Sequence, residues 1–240
     1  MSIKNRIKTL ALNMGVELRR YNAVESPTAR LVHQMTTHGI DLALDVGAND
    51  GGYGRLLRSL HFAGDILSFE PLSSAHGALQ LATDKDPHWF VAPRMALGET
   101  DGEVQINIAG NSASSSILPM ADLHRSAAPV SAYVGSEAVP LRRLDTVEHP
   151  AIAGAHALML KIDTQGYEMP VLRGATALLP KVKGIQLELS TAVLYEGQTT
   201  YMDTIQWLQS HGYTLWNLLP GFTDPESGRM LQFDGIFFRS

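Results

Sequence analysis

The chain has 240 residues, 45% of them hydrophobic and 18% charged, a balance that supports a packed core and excludes an intrinsically disordered chain. It contains no cysteine, which excludes disulfides and thiolate metal sites and fits a reducing compartment such as the cytoplasm. A formal net charge of −5 gives no reason to expect nucleic acid as a general partner, and no apolar run reaches the ~18 residues of a membrane-crossing helix.

Residues 1–20 set Lys4, Arg6, Lys8, Arg19 and Arg20 among Ile3, Ile7, Leu10, Leu12, Val16 and Leu18. There is no continuous apolar stretch and no small-residue cleavage site, so a signal peptide is not expected. A basic amphipathic helix can lie on a membrane surface. The favoured expectation is that it packs its apolar side on its own domain. A second leading helix is expected over 26–38: Ser26-Pro27 fits an N-cap followed by a first-turn proline, Leu31, Val32 and Met35 form a stripe, and Gly39 ends it.

The first core strand is expected over 41–46, a helix over 53–61 with Leu56, Leu57 and Leu60 inward, a second strand over 64–70, a helix over 73–83 and a third strand over 89–92. Val104, Ile106 and Ile108 alternate with Gln105 and Asn107, the pattern of a half-buried strand, assigned with 131–141 to a small β insertion. Between them, 110–116 reads as a polar loop. The apolar run 157–162, interrupted by Lys161, delivers Asp163; a helix follows over 167–179, with Pro170 tolerable only in its first turn. Another strand (184–189), a helix (200–210) and two last strands (213–218 and 232–238) complete the chain. This alternation predicts an α/β fold with a mostly parallel sheet and one antiparallel strand.

The segment Asp45-Val46-Gly47-Ala48-Asn49-Asp50-Gly51-Gly52-Tyr53 joins the first strand to its helix, and the next strand ends on Phe69-Glu70-Pro71. A strand, a glycine turn, a helix and an acid at the end of the next strand form a nucleoside-binding arrangement: glycine lets backbone approach a ligand, and the acid accepts hydrogen bonds from a ribose diol. A dinucleotide fingerprint is poorly met, because position 49 is Asn and the acids Asp45 and Asp50 flank the turn. Two carboxylates disfavour a diphosphate and suit a cation such as S-adenosylmethionine, with Asp45 taking the amino group, directly or through water, and Glu70 the ribose. The competing reading makes Asp45 a turn cap and Glu70 a solvated strand end.

Asp45-Val46-Gly47-Ala48-Asn49, Gly51, Tyr53, then Phe69-Glu70-Pro71 and Ala96-Leu97-Gly98, resemble the FkbM family of S-adenosylmethionine-dependent methyltransferases. So do Leu160-Lys161-Ile162-Asp163-Thr164-Gln165-Gly166-Tyr167-Glu168, Val171-Leu172-Arg173-Gly174-Ala175, Leu194-Tyr195-Glu196-Gly197, His211-Gly212-Tyr213 and Asp234-Gly235-Ile236-Phe237. The resemblance covers about residues 41–239. It implies a class I methyltransferase (Rossmann-like) fold: a seven-stranded sheet of order 3-2-1-4-5-7-6 with helices on both faces. On this expectation 1–40 form an N-terminal helical cap of the same domain and 41–240 the methyltransferase domain.

The resemblance implies S-adenosyl-L-methionine as cofactor, held by Asp45, Gly47, Asn49, Gly51, Tyr53, Glu70 and Pro71, with Ala96 and Leu97 flanking the adenine. It also implies O-methylation of a hydroxyl on a sugar, glycoconjugate or natural product. The expected partner is a small-molecule or glycan acceptor; a homo-oligomer stays open. The loop Asn111-Ser112-Ala113-Ser114-Ser115-Ser116 is similar to the family's serine-bearing loop, and Ser115 is assigned to the cofactor. Many relatives carry Glu where this chain has Gln165, which weakens any case for a bound metal, and none is expected.

An alcohol acceptor needs a group to take its proton. Asp163, at a strand end on the cofactor side, is the first choice; Lys161, two residues earlier, pairs with it, and Glu188 is the second catalytic candidate. Asp234 either joins the acceptor pocket or fixes its loop, and Glu168 either caps helix amides or joins the site. The nine histidines show no metal-ligand spacing; His124 lies nearest the serine loop. Two alternatives remain at this point: a catalytically inactive binding subunit of the same fold, and a nicotinamide-dependent oxidoreductase.

Overall fold

A computed structural model describes residues 3–239; Met1 and Ser2 of the expected first helix lie outside them. The strands are β1 (Leu42–Val46), β2 (Asp65–Phe69), β3 (Trp89–Val91), β4 (Ala96–Leu97), β5 (Gly102–Ala109), β6 (Tyr133–Arg142), β7 (Leu158–Ile162), β8 (Val182–Ser190), β9 (Tyr213–Pro220) and β10 (Gln232–Arg239). The helices are α1 (Ile3–Asn13), α2 (Pro27–Thr37), α3 (Gly52–Ser59), α4 (Ser73–Thr83), α5 (Asp122–Ala127), α6 (Pro150–Gly154), α7 (Glu168–Arg173) and α8 (Tyr201–Ser210).

Seven strands form one sheet in the order β3-β2-β1-β7-β8-β10-β9, in which β10 runs antiparallel to both neighbours. Numbered within the sheet, that is the expected 3-2-1-4-5-7-6 order of a class I methyltransferase. The two-residue period of a strand divides the core. Leu42, Leu44 and Val46 face one side with Leu158, Leu160 and Ile162, where α7 and α8 bury Val171, Leu172 and Leu208. Ala43, Ile66 and Met159 face the other, beneath Leu31 and Met35 of α2, Leu57 of α3 and Leu79 of α4. Both faces are covered, which is why the central strands read as nearly unbroken apolar runs.

That second face carries an interruption. Ser68 lies opposite Asp45, Asp45 opposite Lys161, and Lys161 opposite Gln186, so four buried polar residues cross β2, β1, β7 and β8 in register. Buried polar groups persist only when paired, and the pairing of this row positions the site.

The expected insertion forms a separate sheet of order β4-β6-β5, in which β5 and β6 run antiparallel. Ile106, Val139 and Leu141 pack with Leu72 and Ala75 at the start of α4, so the insertion sits against the end of β2.

Three expectations are corrected. The helix expected over 167–179 is α7 plus a separate 3-10 turn, Thr176–Leu178. Gly174 divides them: a Cβ there would lie 1.8 Å from the Gly98 carbonyl oxygen, so the close approach of the insertion admits only glycine. The short helices α5 and α6 were not foreseen. Last, α1 does not bury its apolar side: Ile7 is 53% and Leu10 61% exposed, and Ala11 is its one buried side chain among the described residues. By contrast, α2 is capped by Ser26 and packs on the sheet, and Arg30 donates to Asn217 Oδ1 at 2.9 Å.

Candidate active site

The C-terminal ends of β1, β2 and β7 open into a cavity of about 350 Å³. Its floor is the turn after β1. Gly47 has φ +77°, and a Cβ there would lie 1.9 Å from the Asp163 backbone oxygen, so the turn after β1 presses directly on the turn after β7. Asn49, at φ +49°, donates its backbone N–H to Glu70 Oε2 at 2.8 Å and accepts from Ser112 Oγ at 2.9 Å. One residue thereby joins the glycine turn to the acid of β2 and to the serine loop of the insertion.

Glu70 is buried, and the Leu72 N–H donates to its Oε1 at 2.8 Å. Each oxygen thus has one backbone donor and retains a lone pair for a ligand. Burial pushes its carboxyl up to about 7, against the pull of those two amides.

Asp45 and Lys161 form the centre of the polar row. Lys161 Nζ stands 3.3 Å from Asp45 Oδ1 and 3.5 Å from Asp163 Oδ2, and donates to the Gly47 carbonyl at 3.3 Å. The Asp45 contact is an ion pair without hydrogen-bond alignment, since Oδ1 has no hydrogen-bond partner; Oδ2 accepts from Ser68 Oγ at 3.3 Å. Burial alone would lower the Lys161 ammonium, but the facing Asp45, Asp163 and Asp234 outweigh it and hold it raised and charged. Burial pushes the Asp45 carboxyl up, against the pull of Lys161.

Asp163 is connected onward. Its Oδ1 accepts from Gln165 Nε2 at 2.7 Å, and the same amide nitrogen donates to Glu188 Oε2 at 2.7 Å. Tyr195 OH donates to Gln165 Oε1 at 2.7 Å, and Gln232 Nε2 donates to Glu188 Oε2 at 2.5 Å. Burial, then the facing carboxylates of Asp163, Glu168 and Asp234, push the Glu188 carboxyl well above the ordinary range. Glu188 lines a second cavity of about 250 Å³, and Ala113, Asp163 and Gln165 are walls of both cavities.

Gly47, Asn49, Tyr53, Glu70, Pro71, Ala96, Leu97, Ser115, Lys161 and Asp163 all line the larger cavity. Three assigned residues do not: Glu188 lines only the second cavity, and Asp45 and Gly51 line neither. Asp45 is fully buried beneath it, so direct contact with a ligand amino group is not available to it; its partners are Lys161 and Ser68. A Cβ on Gly51 would lie 3.0 Å from Leu79 and 3.1 Å from Trp89, so the start of α3 packs closely on both. Glu168 lines neither cavity. Its Oε1 accepts from the Thr164 and Gly166 N–H groups at 3.1 and 3.0 Å, tying the turn after β7, and burial pushes its carboxyl up to about 7.

Residues 45–215 match the family described as the methyltransferase FkbM domain. The chain belongs to this family. Solved structures similar to this FkbM domain include a putative S-adenosylmethionine dependent methyltransferase from Listeria monocytogenes, with TM-score 0.49 and 10% identity over 89% of this chain and 98% of that one. The precorrin-6y C5,15-methyltransferase from Geobacter metallireducens gives 0.47 and 12% over 88% and 87%, and a putative RNA methyltransferase from Pyrococcus horikoshii 0.46 and 10% over 88% and 83%. No curated protein sequence matches the chain.

Sequence reasoning missed Gln186 in this FkbM domain. It accepts from Tyr53 OH at 3.3 Å and donates to Asp234 Oδ2 at 2.7 Å, so it carries the polar row on to β10 and turns Asp234 to the larger cavity. The available signal was an amide between Ile185 and Leu187 in a strand buried on both faces. His124 lies in the second cavity, 3% exposed, with its Nδ1 unpartnered; burial lowers its pKa and keeps it neutral at pH 7.

Proposed function

We propose that the protein is an S-adenosylmethionine-dependent O-methyltransferase acting on a hydroxyl of a sugar, glycoconjugate or natural product. The charge of the larger cavity supports the cofactor. Asp50, Glu70, Asp163 and Asp234 line it, Asp50 paired with Arg55, and among the described residues its one lining cation, Lys161, is already paired with two carboxylates. That set suits a sulfonium and an ammonium and opposes the diphosphate of a nicotinamide dinucleotide. Glu70 has one free lone pair on each oxygen for the ribose diol. Ala96 and Leu97 supply apolar walls for the adenine, and Ser115 borders the same space.

When bound, the cofactor supplies a methyl group on sulfur: attack by an acceptor oxygen forms the C–O bond as the C–S bond breaks and leaves its electron pair on sulfur. The chain supplies alignment and a destination for the hydroxyl proton. The observation that carries this reading is the position of Asp163, the one acid that lines both cavities. An acceptor seated in the second cavity presents its hydroxyl to Asp163, whose Oδ2 takes the proton. Lys161 stands beside Asp163 Oδ2 as its counter-charge, Gln165 fixes its Oδ1, and Glu188, at the far end of the Gln165 amide, is the second candidate base. The second cavity offers hydrogen-bonding groups from Asn111, Gln232 and His124 beside the Phe222 ring, a set suited to a hydroxylated acceptor.

Calorimetry with S-adenosylhomocysteine tests the cofactor assignment. Wild-type protein binds it, and Glu70→Ala loses about 10- to 100-fold in affinity, the worth of a charge-assisted hydrogen bond. A folded wild-type sample that binds none overturns the reading. Transfer assays over hydroxylated acceptors test the base: Asp163→Asn lowers turnover about 10²- to 10⁴-fold while retaining cofactor affinity. Unchanged turnover moves the base to Glu188.

A further inference from the structure

Among the described residues, none of the N-terminal segment lines either cavity, and of its apolar side chains only Ala11 is buried. Ile7 (53%), Leu10 (61%), Leu12 (61%), Met14 (68%), Val16 (49%) and Leu18 (43%) are exposed within a dozen residues. A cluster of large apolar side chains on the surface marks a binding face more often than scattered single ones do.

The geometry of α1 defines that face. At about 100° per residue, Ile7 and Leu10 fall on one side, with Ala11 at its edge. Lys4 and Lys8 border this arc on one flank and Arg6 on the other, while Asn5, Thr9 and Leu12 point away. Among the described residues no carboxylate pairs with Lys4, Arg6 or Lys8, whereas Arg19 is paired with Glu17 at 2.8 Å. Glu17 is the first acid in the sequence, in a chain of net charge −5. The segment therefore differs in sign from the molecule that carries it.

We propose that α1 docks the protein on an anionic lipid surface, with Ile7 and Leu10 in the headgroup–acyl boundary and Lys4, Arg6 and Lys8 on the anionic headgroups. An apolar stripe with a basic flank on each side fits a plane that is hydrocarbon below and negative above. A second copy of the chain fits less well: an isologous contact through α1 would bring Lys4, Arg6 and Lys8 against their own equivalents. Long basic side chains at the flanks extend their stems over apolar surface and keep their charges at headgroup level. The contact is peripheral, since no described helix is long and apolar enough to cross a membrane. It stands independently of the reading of the active site.

Co-sedimentation of the full chain with vesicles tests this. Vesicles of phosphatidylcholine alone are compared with vesicles of three parts phosphatidylcholine to one part phosphatidylglycerol, at low and at physiological salt. The expected result is partitioning to the anionic vesicles that weakens with salt. The triple variant Lys4→Glu, Arg6→Glu, Lys8→Glu is expected to reduce it on the order of a hundredfold, the combined effect of three basic side chains near a charged surface. The double variant Ile7→Asp, Leu10→Asp abolishes it. Unchanged binding of S-adenosylhomocysteine, or an unchanged unfolding transition, shows that each variant is folded. Equal partitioning to neutral and anionic vesicles, or to neither, overturns the proposal. So does a concentration-dependent dimer in sedimentation equilibrium that Leu10→Asp dissociates.

Discussion

Asp45 and Lys161 stand directly opposite each other on neighbouring parallel strands, with Oδ1 and Nζ 3.3 Å apart and both side chains buried. Neither is stable there alone. Their pairing places one ammonium beside Asp163 and holds the ends of β1 and β7 at a fixed spacing, so a structural ion pair sets the electrostatics around Asp163.

Lys161→Met is expected to leave Asp45 buried without a counter-charge and to cost about 3–5 kcal/mol of stability. Adding Asp45→Asn removes the uncompensated charge, so the double variant recovers part of that loss. Urea unfolding of wild type, both single variants and the double variant measures the coupling.

Glu168 gives a pH dependence with a definite sign. Its folded carboxyl titrates at about 7, above its ordinary value near 4.5. The folded state therefore favours the protonated form; the contribution is complete below the unfolded value and lost as pH rises through about 7. Glu70 shifts in the same direction for the same reason. Unfolding free energy is expected to fall between pH 4.5 and 7.5, and Glu168→Gln to remove about 2–3 kcal/mol of that fall while Glu70's share remains. An equal fall in wild type and variant contradicts the assignment.

Gln165→Glu would place a third carboxylate between Asp163 and Glu188, each now 2.7 Å from the amide nitrogen. Both donated hydrogen bonds become repulsions, which raises the affinity of the cluster for protons. The acid limb of the pH–rate profile is expected to move up by about one unit or more, with S-adenosylhomocysteine affinity little changed, because Gln165 makes no hydrogen bond to Glu70.

Two glycine substitutions should act in opposite directions. Gly47→Ala meets the Asp163 backbone at 1.9 Å in a left-handed conformation and should cost more than about 3 kcal/mol. Gly77→Ala lies within α4, meets nothing within 4 Å, and should stabilise by about 0.5–1 kcal/mol. Thermal unfolding distinguishes them.

Much of the fold was legible because its signals are local. The apolar runs at 42–46 and 158–162, the alternation of β5, the Ser26 cap and the glycine turn after β1 each specify an element from neighbouring residues. The exceptions have physical causes outside that range: residue 174, where α7 gives way to the 3-10 turn, must be glycine because a carbonyl 76 residues earlier, that of Gly98, occupies the space where a side chain would go.

By itself, the sequence determined an α/β chain with an acid-flanked glycine turn, a second acid after β2 and a third after β7. Only the tertiary structure decided what each acid does. Asp45 and Asp163 share one lysine yet have different surroundings: the alternation of β1 and β7 buries Asp45 in register with Lys161, while Asp163, one residue beyond the end of β7, emerges between two cavities. Strand register and burial are properties of chain segments more than a hundred residues apart, and no pattern within either segment encodes them.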